Sequence, residues 1–356
     1  MLLTRRQVLK LGAVGLAGFA PIPLRAQTRA YSWTAAAGHG PTAQWVQVMR
    51  EYFLPQSRQR IEALGYRVNW TEAYSGTLVK IGGEIDAMQR GVCDLSVVGS
   101  IWHQARLPLQ LLTLYAPFSA VDVKNAVEGL DDLYATIPEL NQAWQDFGMT
   151  YLAGIGAESL QIFTKHRIES PSELSGLKVG GAGPQLNWLR GTGAVGVRLV
   201  PATLYSDLKS GVYDAALTLP SLAIGLRLYE VTPYMLRVDA GATSWAGLTM
   251  RKAAFDPLPD PVKAAIRETA IGYRTQLIEL QRTVPTVGFE ELQAKGMTIT
   301  PMSAANRRAW AASMPDVAAE WASDLEKKNL PARKLMRAYL ASLRTRGEQP
   351  VRDWLA

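Results

Sequence analysis

Apolar positions along this chain alternate between a period of two and a period near 3.6, and the switches mark out short strands separated by helices. Residues 31–36 read as a first strand. The loop Ala37-Gly38-His39-Gly40-Pro41 leads from it into a helix that carries Trp45, Val48, Met49 and Phe53 at helical spacing. Residues 66–70 give a second strand, Tyr74-Ser75-Gly76-Thr77 a polar turn, and a helix closing at Arg90-Gly91 delivers a third strand over 92–98. Residues 111–118 and the helix after Ser119 complete much of this first unit, and 151–164 read as one further strand with Gly154 and Gly156 near its start.

The second half repeats the alternation more compactly. Ser170, Pro171 and Glu173 have the arrangement of a capping box with proline at the first helical position. Leu177 and Val179 then form a strand against the glycines Gly180, Gly181 and Gly183. A helix over 184–190, a strand over 195–199, a helix over Leu204–Ser210 closed by Gly211 and a strand over 212–217 follow. Met88 to Leu95 and Leu208 to Ala215 share one form: an apolar helix position, two polar residues, a capping glycine, valine, any residue, aspartate and a strand. This repeat predicts two α/β lobes of related topology, with ligand held in the cleft between them. The first crossing between lobes is expected within 151–164 and the return near 242–249. The C-terminal third is helical: a helix from Asp260 through Leu280, a kink or break at Pro285, a strand over 297–300, and helices over 303–325 and 331–344.

Composition fits a folded chain, at 48% hydrophobic and 19% charged residues in 356. Residues 1–26 stand apart. Arg5-Arg6 and Lys10 precede an apolar run over 11–20, and Leu24-Arg25-Ala26 offers a small residue before a cut. The paired arginines resemble a twin-arginine export signal; an ordinary secretory signal carrying two arginines is the alternative. Either implies an exported, periplasmic protein. The formal net charge of +7 falls to +3 once Arg5, Arg6, Lys10 and Arg25 are set aside, and the remaining basic residues are interspersed with acidic ones. Nothing there points to nucleic acid, and no run is long enough for stable membrane insertion. Cys93, the one cysteine, sits among apolar neighbours and reads as an inert buried thiol; His39, His103 and His166 lack metal-ligand spacing. No metal site or cofactor motif is indicated.

The segments PSELSGLKV, LYSDLKSGVYDAAL and YEV resemble the signature region of the TRAP-type (DctP-like) periplasmic solute-binding proteins, and looser similarity runs from about Tyr31 to the C-terminal helices. The resemblance implies an α/β, two-lobed periplasmic binding protein fold with a ligand cleft between lobes and a long C-terminal connecting helix. On this basis residues 27–157 plus about 246–286 form the first lobe, and 158–245 plus about 287–356 form the second lobe and the C-terminal helices. The implied role is capture of a small organic acid for a TRAP membrane permease, not catalysis.

The resemblance also implies a carboxylate-binding arginine directly after the strand that ends at Val179, where this chain has Gly180. A second arginine position aligns with Leu160, an amide position with Leu219 and a phenylalanine position with Pro201. Loss of these polar groups favours an aromatic or less polar ligand, because a desolvated carboxylate needs a partner. Arg190 and Arg198 are the replacement cations nearby, although both also read as surface residues. From strand ends and turns, Tyr74, Trp102 and Trp245 are candidates to stack on a ring, and Ser100, His103, Gln185 and Thr218 to hydrogen-bond a ligand. Each has a plainer reading: core packing for the tryptophans, a loop or satisfied histidine for His103. Glu158 is a candidate for a cationic group or a merely solvated acid.

Two other functions remain open on the sequence. One is a periplasmic carrier or sensory receptor for an apolar metabolite or lipid, which a deep apolar cleft would favour. The other is an exported enzyme, for which the chain offers little: Val98-Gly99-Ser100-Ile101-Trp102 lacks the second glycine of a nucleophile elbow, and Asp131-Asp132 lies in a helical stretch expected to be exposed.

Overall fold

The computed structural model describes residues 29–355, so the export segment lies outside it. The strands are β1 (Ala30–Ala36), β2 (Arg67–Ala73), β3 (Leu95–Gly99), β4 (Met149–Ala157), β5 (Gln161–Thr164), β6 (Lys178–Gly181), β7 (Val195–Arg198), β8 (Ala215–Thr218), β9 (Tyr234–Arg237), β10 (Thr243–Arg251) and β11 (Thr298–Pro301). They fall into two sheets, ordered β2-β1-β3-β10-β4 and β11-β9-β5-β8-β6-β7. Each sheet is the centre of a lobe.

The sequence repeat corresponds to one local structure used twice. In the first lobe the Asp94 carboxylate accepts the backbone N–H of Thr34 at 3.0 Å, while the Asp94 N–H donates to the Thr34 carbonyl at 2.8 Å. In the second, Asp214 and Lys178 make the same pair of bonds, both at 2.8 Å. Asp94 thereby starts β3 beside its parallel neighbour β1, and Asp214 starts β8 beside its parallel neighbour β6. The preceding glycines, Gly91 (φ 71°) and Gly211 (φ 83°), take the left-handed conformation that ends each helix.

The stretch 151–164 is not one strand. It ends in the first sheet at Ala157 and resumes in the second at Gln161, so the chain crosses between lobes at residues 158–160 and returns between Arg237 and Thr243. Gly154 and Gly156 are packing positions: a Cβ at Gly154 would lie 2.6 Å from an Asp131 oxygen, and one at Gly156 2.6 Å from Val127. A third connection runs along the Asp260–Arg282 helix, which packs on β4, through a wide turn over Val284–Gly288 containing Pro285, to the Phe289–Ala294 helix against β11.

Other elements are shorter than the pattern suggests. The capped start at Ser170 is present, with the Glu173 carboxylate accepting the Ser170 N–H at 2.9 Å, but it opens only the single turn Pro171–Leu174. The helix expected over 303–325 breaks into Ala304–Ser313 and Val317–Glu326, because Pro315 has no N–H to continue it. The terminal helices, expected with the second lobe, touch both lobes. Their indoles anchor to both lobes: Trp310 donates to the Trp188 carbonyl, while Trp321 and Trp354 donate to those of Pro108 and Pro117. The Ala332–Thr345 helix packs on the Val123–Asp131 helix of the first lobe.

The buried-acid reading of Asp131 also replaces an exposed one. Its carboxylate accepts from the Tyr151 hydroxyl at 2.5 Å and the Gly154 N–H at 3.2 Å, and it pairs with Arg274. Burial raises its pKa against the opposing pull of Arg274. Asp132 beside it is exposed and pairs with Arg346.

Candidate functional site: an uncharged cavity between the sheets

Open α/β sheets leave a crevice at the carboxyl ends of their parallel strands. Here the ends of β1 and β3 face those of β6, β7 and β8 across a cavity of about 280 Å³. From the first lobe come His39 and Thr42 after β1, Ile101 and Trp102 in the turn after β3, Trp45 from the following helix, and Thr243 and Trp245 from β10. From the second come Leu160 at the crossing, Gln185 after β6, Leu199 and Pro201 after β7, Thr218 at the end of β8, and Leu219, Ser221, Leu222 and Leu226 after it. No Lys, Arg, Asp or Glu is among the lining residues.

The aromatic wall is a set of rings in edge-on contact. The Trp45 ring meets Trp245 edge-on at 5.0 Å and His39 edge-on at 4.9 Å. Trp245 is fixed twice over: its indole donates to the Gly156 carbonyl at 3.1 Å, and its own carbonyl accepts the Ser100 hydroxyl at 2.7 Å. Trp102 lies over Gly99, where a Cβ would come within 2.7 Å of the indole Cδ1. Burial lowers the pKa of His39, with a weaker opposing effect from Glu84, so the imidazole is held neutral near pH 7.

Of the residues expected at the site, Trp102, Leu160, Gln185, Thr218, Leu219 and Trp245 line this cavity. Five others lie elsewhere. Ser100 holds the Trp245 backbone from behind. His103 is buried against Glu84, its Nε2 3.1 Å from the Glu84 carboxylate. Tyr74 turns to Glu72, donating its hydroxyl at 2.9 Å, and its pKa is raised, chiefly by burial.

Glu158 faces away from the cavity. Its Oε1 accepts the Ser221 N–H at 2.9 Å, and it borders a separate pocket with Ser159, Gln281 and Arg346. Gly180 sits inside β6 with its bare face toward the second-lobe core, where a Cβ would meet Tyr213 at 3.3 Å and Leu199 at 3.4 Å. An arginine there would have to displace that packing. Arg190 is engaged by Glu320 through two hydrogen bonds at 2.5 and 3.0 Å. Neither Arg190 nor Arg198 reaches the lining.

His39, Thr42, Trp45, Ser221 and Thr243 line the cavity without having been singled out. The position of 37–41 directly after the first parallel strand was the available signal for His39; Trp45 is indistinguishable in sequence from the core stripe Val48, Met49 and Phe53. Elsewhere, Cys93 is fully buried and its thiol is pushed up to about 12 by desolvation. Among the described residues no group of three or more His, Cys, Asp or Glu side chains is placed to hold a metal, and no helix is long and apolar enough to cross a membrane.

Two sheets facing across a cavity at their strand ends make the two-lobed α/β fold of periplasmic binding proteins. The profile of the bacterial extracellular solute-binding protein family 7, DctP, matches residues 66–324, and the chain belongs to that family. A curated solute-binding protein of Albidiferax ferrireducens is 26% identical over 195 residues, which is 53% of this chain and 56% of the relative; the chain thus spans about half the length of the curated relative it matches. Among solved structures, a TRAP solute-binding protein from Rhodoferax ferrireducens with copurified benzoate superposes with a TM-score of 0.77 at 19% identity, over 89% of this chain and 98% of that one. A Bordetella pertussis extracytoplasmic solute receptor binding pyroglutamic acid gives 0.74 at 20%, over 88% and 99%. A Chromohalobacter salexigens TRAP protein with bound D-glucuronate gives 0.74 at 18%, over 87% and 99%. At these identities the structures establish the fold, that of the TRAP solute-binding proteins.

Proposed function

We propose that this chain is the extracytoplasmic, periplasmic receptor of a TRAP transporter, that it captures a small organic molecule of low charge in the cavity between its sheets, and that it hands the molecule unchanged to a membrane permease. The observation that carries this reading is the lining itself. Both lobes contribute to it, so a ligand would be gripped from two sides, yet neither contributes a charged side chain. A dicarboxylate, or a sugar acid with its ring of hydroxyls, would be desolvated there with no cation and too few polar groups to meet it, which costs several kcal/mol. The fold accommodates an aromatic guest in at least one relative, whose structure carries benzoate.

The three connections at 158–160, 238–242 and 283–288 give the lobes a hinge, and a ligand touching both walls favours the closed form by its differential affinity. A permease that recognises the closed form would then see only loaded receptor. Thermal unfolding of the mature protein with a panel of small organic molecules tests the reading. Uncharged or aromatic members should raise the midpoint; at 100 times Kd a ligand adds ~2.7 kcal/mol. A panel in which only multiply charged acids stabilise the protein would overturn it.

A further inference from the structure

The cavity is uncharged but not without polarity. The indole N–H groups of Trp45 and Trp102 and the hydroxyl of Thr243 are buried and have no hydrogen-bond partner in the protein. All three side chains line the cavity. This is a departure from how the chain treats seven of its eight other tryptophans, Trp33 being the exception. Trp70, Trp144, Trp188, Trp245, Trp310, Trp321 and Trp354 each donate to a carbonyl or hydroxyl oxygen within 3.2 Å. A buried donor left unpaired is costly, so native structures rarely keep one without a use.

The three unpaired groups share a second property: all belong to the first lobe. The facing wall is mainly apolar, built by Leu160, Leu199, Pro201, Leu219, Leu222 and Leu226, with Gln185, Thr218 and Ser221 as its polar members. Resting on the reading of this cavity as the ligand site, we infer that the ligand presents an oxygen acceptor, a carbonyl or carboxylate, to Trp45, Trp102 and Thr243 of the first lobe and lays an apolar, ring-sized body against the leucines of the second. Neutral donors take the acceptor in place of a cation. The polarity of binding is then the reverse of that implied by an arginine on the second lobe. Trp45 and Trp102 are held for this task by packing, the first between His39 and Trp245, the second on the bare backbone of Gly99.

The test uses the full mature chain labelled with ¹⁵N at its indole nitrogens, and benzamide, benzoate and toluene as probes. Trp45→Phe and Trp102→Phe identify their resonances. Benzamide or benzoate should move both indole N–H signals downfield and slow their exchange, the two probes separating carbonyl from carboxylate, whereas toluene should leave them in place. Thr243→Val, which keeps the side-chain shape, should weaken the acceptor probes about tenfold, as expected for one lost hydrogen bond, and toluene hardly at all.

Binding of an acceptor probe with both indole signals unmoved would overturn the inference, as would toluene binding as tightly as benzamide, or no probe binding. A probe whose affinity is unaffected by Leu160→Arg in the cavity wall would instead place the ligand elsewhere and overturn the proposed function with it.

Discussion

Glu158 and Ser221 join the crossing strand to the cavity: the Glu158 carboxylate accepts the Ser221 backbone N–H at 2.9 Å, and Ser221 belongs to the Pro220–Gly225 helix that lines the second-lobe wall. The second carboxylate oxygen is buried without a partner. Desolvation raises the Glu158 pKa, and the bonds to Ser221 only partly offset it.

For an acid whose folded pKa lies above its unfolded value, both states are protonated at low pH, and the unfolded state is favoured as pH rises above about 4.3. Glu158→Gln keeps an oxygen for Ser221 and removes this liability. The variant should therefore gain stability relative to the parent between pH 4 and pH 7, measured by urea unfolding at both. A difference that does not change with pH would show that the carboxyl is not ionising in this window.

His39 carries the opposite dependence. A base whose pKa is depressed on folding makes no difference above the unfolded value of about 6.5, and stability is lost as pH falls below it, because only the unfolded chain takes up the proton freely. His39→Gln should flatten the decline of the thermal midpoint below pH 6.5. An equal decline in parent and variant would assign the effect to other groups.

The repeated aspartates should differ in weight despite their common geometry. Asp214 supports one backbone N–H, so Asp214→Ala should cost about 1 kcal/mol. Asp94 also accepts from Arg251 at 2.6 and 3.0 Å in a mostly enclosed pair. Asp94→Ala should cost roughly 2–3 kcal/mol, the range for a hydrogen bond to a charged group. Urea midpoints at unchanged slope would measure both, and equal losses would contradict the assignment of the extra stability to Arg251.

Gly180 and Leu160 should also separate. Gly180→Ala brings a methyl group to 3.3 Å from Tyr213 and 3.4 Å from Leu199, contacts that a small shift relieves, and should change stability by no more than about 1 kcal/mol while leaving ligand affinity near that of the parent. Leu160→Arg puts a cation into the cavity wall and should abolish binding of an uncharged ligand. Calorimetric titration of both variants checks this pair of outcomes; a loss of affinity confined to Gly180→Ala would reverse the roles.

Much of this architecture was legible because it is local. Glycine, valine and aspartate at fixed offsets after an apolar helix dictate the entry to β3 and to β8, and the capping box at Ser170 needs only four residues. What was not legible depends on packing across the chain. The break of 151–164 between two sheets follows from which neighbours each half finds, and the terminal helices reach both lobes through the indoles of Trp310, Trp321 and Trp354. At the site, Trp102, Leu160 and Trp245 lie at strand ends and crossings, where topology alone directs attention. Glu158 and Gly180 were expected beside them, but Glu158, in the crossing after β4, turns behind the cavity to Ser221, and Gly180, inside β6, has its bare face toward the core, choices made by side-chain direction and not by position in the sequence.

The ligand we propose is a small molecule of low charge held in the cavity between the sheets. Native mass spectrometry of the protein purified gently from cells that express it, followed by release and identification of what is bound, tests it most directly. The expected outcome is release of one equivalent of an aromatic or otherwise largely apolar molecule bearing an oxygen acceptor. A stoichiometric dicarboxylate or sugar acid would contradict it.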